Sequence, residues 1–402
     1  MTIISQTLQI ALKHHQAAQL READSLYHQI LQEDPGHSDA LNLSGLIAHQ
    51  TGNNSKAADL INKAILSNPK NPDYYYNLGI VLSALEKWKE AIHAYTQTIR
   101  LRPDYFEALN NLGNILREHS NTDSAIEIYN KALKLKPDCA EAWNNLGNVL
   151  KERGQIENAI ENYKKAIQIK PDYAEAWNNL GSAMSAQNRF KDAIEHYRHA
   201  LKLKPDYAEA WSNLGGVMEI IGEFNTSIES YRQALKYKPD YNIAFSNLLY
   251  LLSYNVVCSP EQILEEHRNW GRIHEEKQKI HSFSHKKPTN PNKRLRIGYV
   301  SSDFRKHALS FFFEPILRNH DKSHVEIYCY SNVNEPDDTT ERLKTMADEW
   351  CSTLEMNDTE VAQKIYDDKI DILIDLAGHT AKNRLIIFSY KPAPIQITYL
   401  GY

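Results

Sequence analysis

The amino-terminal part of the chain repeats itself with a fixed period of 34 residues. Seven prolines mark the period: Pro35, Pro69, Pro103, Pro137, Pro171, Pro205 and Pro239. Six glycines keep the same step: Gly45, Gly79, Gly113, Gly147, Gly181 and Gly215. A period of this length is the sequence sign of stacked structural units, none of which can bury its apolar face without a neighbour. The feature therefore predicts that the stack itself is the fold.

Each unit carries two apolar helical patterns, as the copy over residues 140–173 shows. The patterns cover 140–151 and 156–169, and a polar turn around Gly154 joins them. We expect Gly147 to let the two helices approach closely and Tyr163 to fill the space around it. The tyrosines in phase with it are thus predicted to be packing residues rather than a ligand-binding stripe: Tyr95, Tyr129, Tyr197 and Tyr231. Acidic pairs are expected to form capping boxes at the starts of units: Asp104/Glu107, Asp138/Glu141, Asp172/Glu175 and Asp206/Glu209.

The pattern divides the chain into four parts. Residues 1–241 are predicted to form about seven tetratricopeptide-type units, and 242–280 a partial eighth unit followed by adaptor helices. Ser259 and Gln262 are expected to cap the last of these helices. Residues 281–293 are polar and interrupted by proline, which indicates a linker. His281 and His285 in it have a spacing that could bind a metal on a helix, but a solvated loop is the favoured interpretation.

From residue 294 to 402 the pattern changes to short apolar runs separated by helical stretches. Strands are predicted at 295–301, 325–331, 371–377 and 394–401, and helices at 308–318, 340–350 and 358–368. This alternation indicates a parallel sheet and a partial Rossmann-like α/β domain, about half of a doubly wound sheet. The fold class is therefore α + α/β, an all-α repeat superhelix followed by this domain. The ending after the fourth run resembles that of a truncated gene product.

Polar residues follow two of the predicted strands, where ligand sites of such sheets form. Asp303 and His307 lie in the loop after the first strand, just before a helix whose free N–H groups stabilise anions. His379 and Thr380 follow the third strand and could face the same crevice. A loop aspartate that caps the helix, with an exposed histidine, is the plainer alternative. No phosphate-binding glycine motif and no metal-binding aspartate pair are present, so no metal is expected.

Composition restricts the possible partners and location. The formal net charge of −5, with 24% charged residues, gives no electrostatic reason to expect nucleic acid or an anionic membrane as partner. The amino terminus lacks the pattern of a signal peptide, and no apolar run is long enough to span a bilayer. Four scattered cysteines fit a reducing compartment. A cytoplasmic location is predicted, while oligomeric state is not indicated.

Three segments carry a family resemblance: RLRIGYVSSDFRKH (294–307), DILIDLAGHTAKNRL (371–385) and KPAPIQITYLGY (391–402). Together with the repeats, they resemble the O-linked N-acetylglucosamine transferase/SPINDLY family, in which tetratricopeptide repeats precede a GT-B-type glycosyltransferase. The resemblance implies transfer of N-acetylglucosamine from UDP-GlcNAc to Ser or Thr of proteins, with no cofactor. It places Asp303 and His307 at the active site and Leu400 and Gly401 near the donor sugar. His379 and Thr380 match a family motif as well, and the resemblance assigns them to donor binding.

The sequence departs from this family because the half that holds the nucleotide, with its phosphate-assisting lysine, is absent from the 402 residues. We therefore expect no sugar transfer by these residues alone. Two alternatives stay open. One is a non-catalytic repeat scaffold for protein partners, and the other is a SPINDLY-type enzyme that uses a fucosyl nucleotide.

An asparagine series shares the 34-residue step. Its members lie in the first helical pattern of their units: Asn77, Asn111, Asn145, Asn179, Asn213 and Asn247. Because a carboxamide both donates and accepts, a ladder of them can bind the backbone of an extended peptide. A solvated polar face explains the spacing equally well. The family resemblance, in which such a ladder binds protein substrates, favours a groove for protein or peptide acceptors.

Overall fold

A computed structural model of the protein describes residues 3–119, 121–254, 258–279, 282–285 and 293–399. The chain divides into two compact units, Met1–Leu203 and Lys204–Tyr402. In the described ranges, no helix combines the length and apolar character that a bilayer crossing requires.

The first unit is all-helical, with twelve helices in its described residues. They pack in consecutive pairs that form two-helix repeats. Their bounds are α1 Ile3–Gln16, α2 Leu20–Glu33, α3 Ser38–Gln50, α4 Asn54–Ser67, α5 Pro72–Ala84, α6 Trp88–Leu101, α7 Phe106–Glu118, α8 Thr122–Leu135, α9 Ala140–Glu152, α10 Ile156–Ile169, α11 Ala174–Ala186 and α12 Phe190–Leu203. The helices predicted at 140–151 and 156–169 are confirmed to within one residue.

The two helices of a repeat meet at a glycine and a tyrosine. A Cβ atom added to Gly147 of α9 would lie 2.6 Å from Cε1 of Tyr163 on α10, closer than packed atoms approach. Tyr163 is fully buried, which confirms its predicted packing role. The same contact joins further pairs: Gly79 with Tyr95, Gly113 with Tyr129, Gly181 with Tyr197 and Gly215 with Tyr231. These five glycines therefore make room for an aromatic ring, whereas a Cβ added to Gly45 would lie 2.7 Å from Cγ1 of Ile61.

The predicted acidic capping boxes are wrong at all four sites, Asp104/Glu107, Asp138/Glu141, Asp172/Glu175 and Asp206/Glu209. The N-cap residues are instead Tyr105, Cys139, Tyr173 and Tyr207, and none makes a side-chain cap bond. The reason is that the Pro-Asp pair forms a turn ahead of the helix. Each aspartate consequently lies one position before the N-cap, outside the position from which a side chain caps the first turn.

The second unit begins with four helices, which are α13 Ala208–Ile220, α14 Phe224–Tyr237, α15 Asn242–Tyr254 and α16 Pro260–Gln278. Tyr231 of α14 and Leu248 of α15 belong to one buried apolar cluster. The predicted capping box at α16 is confirmed. Ser259 Oγ accepts from the Gln262 N–H at 3.3 Å, and the Gln262 side chain accepts from the Ser259 N–H at 2.9 Å.

A parallel sheet follows in the same unit. Its elements are β1 Leu295–Ser301, α17 Ala308–Asn319, β2 Val325–Ser331, α18 Asp338–Lys344, β3 Glu349–Ser352, α19 Asp358–Asp367, β4 Ile372–Asp375, α20 Ile386–Ser389 and β5 Ile395–Thr398. The strand order is β3-β2-β1-β4-β5, and every described pairing is parallel. One face packs on α17 and α18 and the other on α19 and α20. The α/β prediction is confirmed.

The sheet contains five strands in the described residues, whereas four were predicted. The helix predicted over 340–350 ends at Lys344, and Glu349–Ser352 instead pairs with β2. This edge strand has only four residues and no alternating apolar pattern, so the sequence does not predict a strand there. Its position depends on distant contacts, such as the Trp350 ring 5.4 Å from that of Phe304.

Adjacent glycines of α13 offer a matched test of the glycine–tyrosine contact. Gly215→Ala would place a Cβ 2.8 Å from Tyr231 Cε1, whereas a Cβ added to Gly216 would lie 3.6 Å from the Tyr231 hydroxyl oxygen, an ordinary contact distance. We expect Gly215→Ala to lower the free energy of unfolding by about 1–3 kcal/mol through overpacking. Gly216→Ala should leave it unchanged or raise it by up to about 1 kcal/mol, because alanine favours helix. Urea denaturation of both variants measures the difference, and equal effects would contradict the packing argument.

Candidate functional site

A cavity of about 320 Å³ opens at the carboxyl edge of the sheet. It lies beside β1 and β4, between which the strand order reverses, the place where open α/β sheets bind ligands. Three loops line it, after β1, β2 and β4. Their lining residues are Ser302, Asp303, Arg305, His307, Asn334, Glu335, Thr380, Ala381 and Lys382. Asp303, His307 and Thr380, all singled out from the sequence, are thus brought together.

The loop after β1 presents Asp303 and His307 in different ways. The Asp303 backbone N–H donates to Ser301 Oγ at 3.0 Å, and its side chain is only 14% exposed. His307, not Asp303, is the N-cap residue of α17, and its Nδ1 accepts from the Leu309 N–H at 3.3 Å. In the neutral ring the proton therefore lies on Nε2, which can donate to a ligand.

A buried carboxylate, which sequence reasoning missed, shapes the loop after β4. Asp375 is 1% exposed and accepts from the N–H groups of Ala377 and Gly378 at 3.1 and 2.9 Å. It also accepts from Thr398 Oγ1 of β5 at 2.9 Å. Burial raises the pKa of this carboxyl above its usual range. Asp375 therefore organises the turn that carries Thr380 to the cavity.

Arg384 ties together the loops that surround the cavity. Its guanidinium donates to Asp358 at 2.7 Å and to Asn332 Oδ1 at 3.2 Å. It also donates to the carbonyl oxygens of Thr353 and Met356 at 2.7 and 2.9 Å. The side chain is 15% exposed. The loops after β2, β3 and β4 are consequently held by a single residue.

Further bonds fix the cavity wall formed by Thr380–Lys382. Ser302 Oγ donates to the Ala381 carbonyl at 3.2 Å, and Asn332 Nδ2 donates to the Lys382 carbonyl at 3.1 Å. Lys382 has a φ of +60°, a left-handed conformation that costs a lysine free energy. Strain held by surrounding contacts is frequent at functional sites.

Charged residues of both signs line the cavity. Arg305 and Lys382 bring positive charge, while Asp303 and Glu335 bring negative charge. The sequence prediction did not include Arg305, Lys382 or Glu335 among the site residues. Their position directly after strands was the available signal, because the carboxyl ends of parallel strands share one edge.

His379 lies away from this cavity lining, although Thr380 next to it belongs to the lining. Its ring is 9% exposed and lies within hydrogen-bond distance of Ser246 on α15, with Nδ1 3.2 Å from the serine Oγ. Trp270 and His267 of α16 pack against it, each with ring centroids 5.1 Å away. The side chain of His379 thus packs against α15 and α16, and its donor-binding role stays a prediction.

Several predicted positions receive no structural account. Leu400, Gly401 and His281 lie outside the described residues. His285 is exposed, with Nε2 2.7 Å from the Lys391 carbonyl oxygen. Within the described ranges, no three His, Cys, Asp or Glu side chains converge as metal ligands do.

The asparagine series lies on the first helix of each repeat, half-buried throughout. In the first unit its amides connect neighbouring repeats. Asn77 donates to Asn42 Oδ1 at 3.0 Å, and Asn179 donates to Asn144 Oδ1 at 3.0 Å. The remaining bonds of this kind are from Asn111 to the Tyr76 hydroxyl at 3.5 Å and from Asn145 to Asn114 Oδ1 at 3.1 Å. Asn213 and Asn247 occupy the equivalent positions on α13 and α15. The series therefore has a structural task in the first unit, and its peptide-binding role stays a prediction.

Family comparisons agree with the two architectures. Residues 247–402 match the family model described as Glycosyl transferase family 41. Tetratricopeptide-repeat models match residues 14–78, 76–138, 128–161, 147–188, 185–219 and 208–241. Residues 14–241 are therefore similar to tetratricopeptide repeats, and residues 247–402 are similar to glycosyl transferase family 41.

Individual relatives confirm the resemblance to O-linked N-acetylglucosamine transferases and SPINDLY proteins. The Petunia hybrida protein described as a probable UDP-N-acetylglucosamine–peptide N-acetylglucosaminyltransferase SPINDLY is 35% identical over 159 residues, 38% of this chain and 17% of that protein. The Arabidopsis thaliana protein SEC, with the same described activity, is 40% identical over 111 residues, 27% of this chain and 11% of that protein. A solved mutant of the Thermobaculum terrenum O-GlcNAc transferase superposes with a TM-score of 0.55 at 32% identity, covering 65% of this chain and 50% of that one. The chain thus spans about a sixth of the first of these curated relatives.

Replacing Arg384 tests whether one residue holds the cavity loops. Arg384→Lys removes the planar fork, and one ammonium cannot reproduce the bonds to Asp358, to Asn332 and to the carbonyls of Thr353 and Met356. Because each unsatisfied buried group costs about 1–3 kcal/mol, we expect a loss of roughly 2–4 kcal/mol in unfolding free energy. Arg318→Lys, a control at a side chain that is 65% exposed, should change it by less than about 0.5 kcal/mol. Urea denaturation of the two variants measures this, and similar values would contradict the clamp.

Proposed function

We propose that this protein, when the nucleotide-binding half is also supplied, transfers N-acetylglucosamine from UDP-GlcNAc to Ser or Thr hydroxyls of polypeptides. One observation carries the proposal. The cavity at the strand-order reversal is lined by Asp303 and His307 and lies inside the segment that matches glycosyl transferase family 41. The described activities of the SPINDLY and SEC relatives favour N-acetylglucosamine as the sugar.

The two residues suit different steps of such a transfer. The Asp303 carboxylate can accept the hydrogen bond of an attacking hydroxyl and orient it. His307, with Nδ1 engaged by the Leu309 N–H, presents an Nε2 donor to an oxygen of the donor substrate. Proton removal by His307 requires that it first release the Leu309 N–H or change tautomer. In the present geometry its role is therefore to position and stabilise rather than to act as the base.

Positive charge in the cavity suits the leaving diphosphate. Arg305 and Lys382 lie on opposite loops of the cavity, after β1 and β4. Charge that develops on a leaving phosphate is stabilised by cations fixed in advance. We include no metal in this scheme, and the donor nucleotide is a substrate rather than a cofactor. Leu400 and Gly401 keep their proposed place near the donor sugar.

We also propose that the asparagine series binds the acceptor polypeptide. Each ladder amide of the first unit uses one Nδ2 hydrogen toward the preceding repeat. The second Nδ2 hydrogen and the Oδ1 atom can bond a peptide backbone. Because the inter-repeat bonds hold each carboxamide in place, the peptide binds groups that are already oriented. A cytoplasmic location, where free cysteines persist, completes the proposal.

Transfer by the full-length protein tests the first part of the proposal. The protein should convert UDP-GlcNAc and an acceptor polypeptide into a product whose mass increases by one N-acetylhexosamine. Asp303→Asn and His307→Ala should each lower kcat by about 10²- to 10⁴-fold, the range for groups that act on the reacting atoms. Lys344→Gln, at a half-exposed lysine of α18 outside the cavity, serves as the control and should retain full activity.

Two results of this assay would change the interpretation. A product heavier by a deoxyhexose, formed from a fucosyl nucleotide, would assign the SPINDLY-type donor instead. No transfer from either donor by the full-length protein, with acceptors still bound by the repeats, would favour the scaffold alternative.

The asparagine series is tested by Asn111→Ala, Asn145→Ala and Asn179→Ala combined. With about 1 kcal/mol lost per hydrogen bond, we expect the acceptor peptide Kd to rise by one to two orders of magnitude. Fluorescence polarisation of a labelled acceptor peptide measures it, and circular dichroism verifies that the stack is folded. Asn130→Ala with Asn158→Ala, at exposed positions of second helices, is the matched control. An unchanged Kd in the triple variant would show that the asparagine series does not bind the acceptor peptide.

A further inference from the structure

The second repeat, formed by α3 and α4, lacks two large side chains that the later repeats carry. Position 44 is a serine, whereas the later repeats have Leu78, Leu112, Leu146, Leu180, Leu214 and Leu248. Position 48 is an alanine, whereas the later repeats have Leu82, Leu116, Leu150, Met184, Met218 and Leu252. These large residues are all buried. Because positions four apart lie on one face of a helix, the two smaller residues leave space on the same face of α3.

A cavity of about 170 Å³ lies where these side chains are missing, and we call it the second-repeat cavity. Ser44, Ile47 and Ala48 of α3 line it together with Leu20 of α2. The three residues of α3 are buried, and Leu20 is half-buried. A cavity of about 150 Å³ admits a molecule of the size of benzene. The second-repeat cavity therefore has room for a branched aliphatic group.

A hydroxyl group lies in this otherwise apolar inner wall. Ser44 is 3% exposed, and its Oγ has no hydrogen-bond partner in the described residues. Serines on other first helices bond to their own helix. Ser83 of α5 and Ser253 of α15 each donate to the carbonyl four residues earlier, at 2.8 and 2.9 Å. Because an unpaired buried hydroxyl costs free energy, the wall favours a ligand that brings an oxygen to Ser44.

The rim of the cavity carries more positive than negative charge. Arg21 of α2 and Lys56 of α4 are exposed residues of the lining. Lys56 lies in the first turn of α4, and the amino-terminal end of a helix adds partial positive charge. Asp24 also lines the cavity, and its carboxylate lies 3.4 Å from Nδ1 of His28. The rim therefore favours an anionic group.

We propose that the second-repeat cavity binds a short branched aliphatic acid that carries a second oxygen, such as a hydroxy acid. Its carbon chain packs on Ile47 and Ala48, in the space that a leucine fills in later repeats. The second oxygen bonds to Ser44, and the carboxylate lies at the rim near Arg21 and Lys56. Burial of the carbon chain drives binding, while the hydroxyl and the charges select the ligand. The site does not depend on the function proposed above.

Two probes that differ by one hydroxyl test the assignment of Ser44. Isothermal titration calorimetry of the full-length protein compares 3-hydroxy-3-methylbutanoate with 3-methylbutanoate. The hydroxy acid should bind with a Kd below about 1 mM. It should bind about three- to tenfold more tightly than 3-methylbutanoate, which is the factor that one net hydrogen bond contributes. Ser44→Ala should abolish this preference, and a preference that is missing in the wild type or persists in Ser44→Ala would overturn the assignment.

Restoring the large side chains tests whether the cavity is the binding site. Ser44→Leu combined with Ala48→Leu gives α3 the residues that α5 carries at Leu78 and Leu82, so the stack should stay folded, as circular dichroism verifies. Binding of both probes should be lost, because the leucines occupy the space of the ligand. Ala48→Leu alone makes the same test if the double variant unfolds. Retained binding in a folded, filled variant would overturn the proposal.

The role of the rim is tested by Arg21→Gln combined with Lys56→Gln. Because each exposed ion pair contributes a factor of about three, the Kd of the hydroxy acid should rise about tenfold. The uncharged 3-hydroxy-3-methylbutanamide should bind the variant and the wild type equally. Lys63→Gln, at an exposed position of α4 outside the lining, is the matched control and should change neither Kd. Equal losses for acid and amide, or no binding of the acid to the wild type up to about 10 mM, would overturn the proposal.

Discussion

Five repeats of this protein share one steric constraint, a tyrosine ring that lies where a glycine side chain would be. In α9 and α10 the separation between an added Cβ on Gly147 and Tyr163 would be 2.6 Å. This contact sets how closely the two helices of the pair approach each other. The first helix can then carry buried asparagines and half-buried ones side by side. The glycine of the first helix thus leaves the space that the tyrosine of the second helix fills, and each residue requires the other.

The sheet unit is organised by polar groups rather than by packing alone. Its strands bring the loops to a common edge, and the conformation of these loops is set by two charged side chains, Asp375, which is buried, and Arg384, which is 15% exposed. The Asp375 carboxylate accepts hydrogen bonds from two backbone N–H groups after β4, and the Arg384 guanidinium donates to two carbonyl oxygens of the loop after β3. Because a buried charge without partners costs several kcal/mol, each group enforces its neighbours' positions. The cavity is therefore held by the same interactions that fold its loops.

The sequence predicted most where the signal was local or periodic. The repeat helices, the capping box at Ser259 and the α/β pattern were all readable, because spacing reports directly on which face is buried. Contacts between distant residues were not readable. Ser246 and His379 are separated by 133 positions, and neither has a neighbourhood that implies the other. The short strand β3 and the organising roles of Asp375 and Arg384 depend in the same way on tertiary partners. Asp303, His307 and Thr380 were found because strand ends can be located from the sequence.

The hydrogen bonds between repeats have a direction. Asn77 and Asn179 each donate from one repeat to an asparagine of the preceding repeat. A repeat that has both asparagines presents the acceptor to the repeat after it and the donor to the repeat before it. Copies of such a repeat can therefore stack head to tail through the same kind of hydrogen bond. Duplication or loss of a 34-residue segment consequently regenerates the same junction. The gene can lengthen or shorten this part of the protein in whole repeats, so the length of the stack changes by copying rather than by redesign.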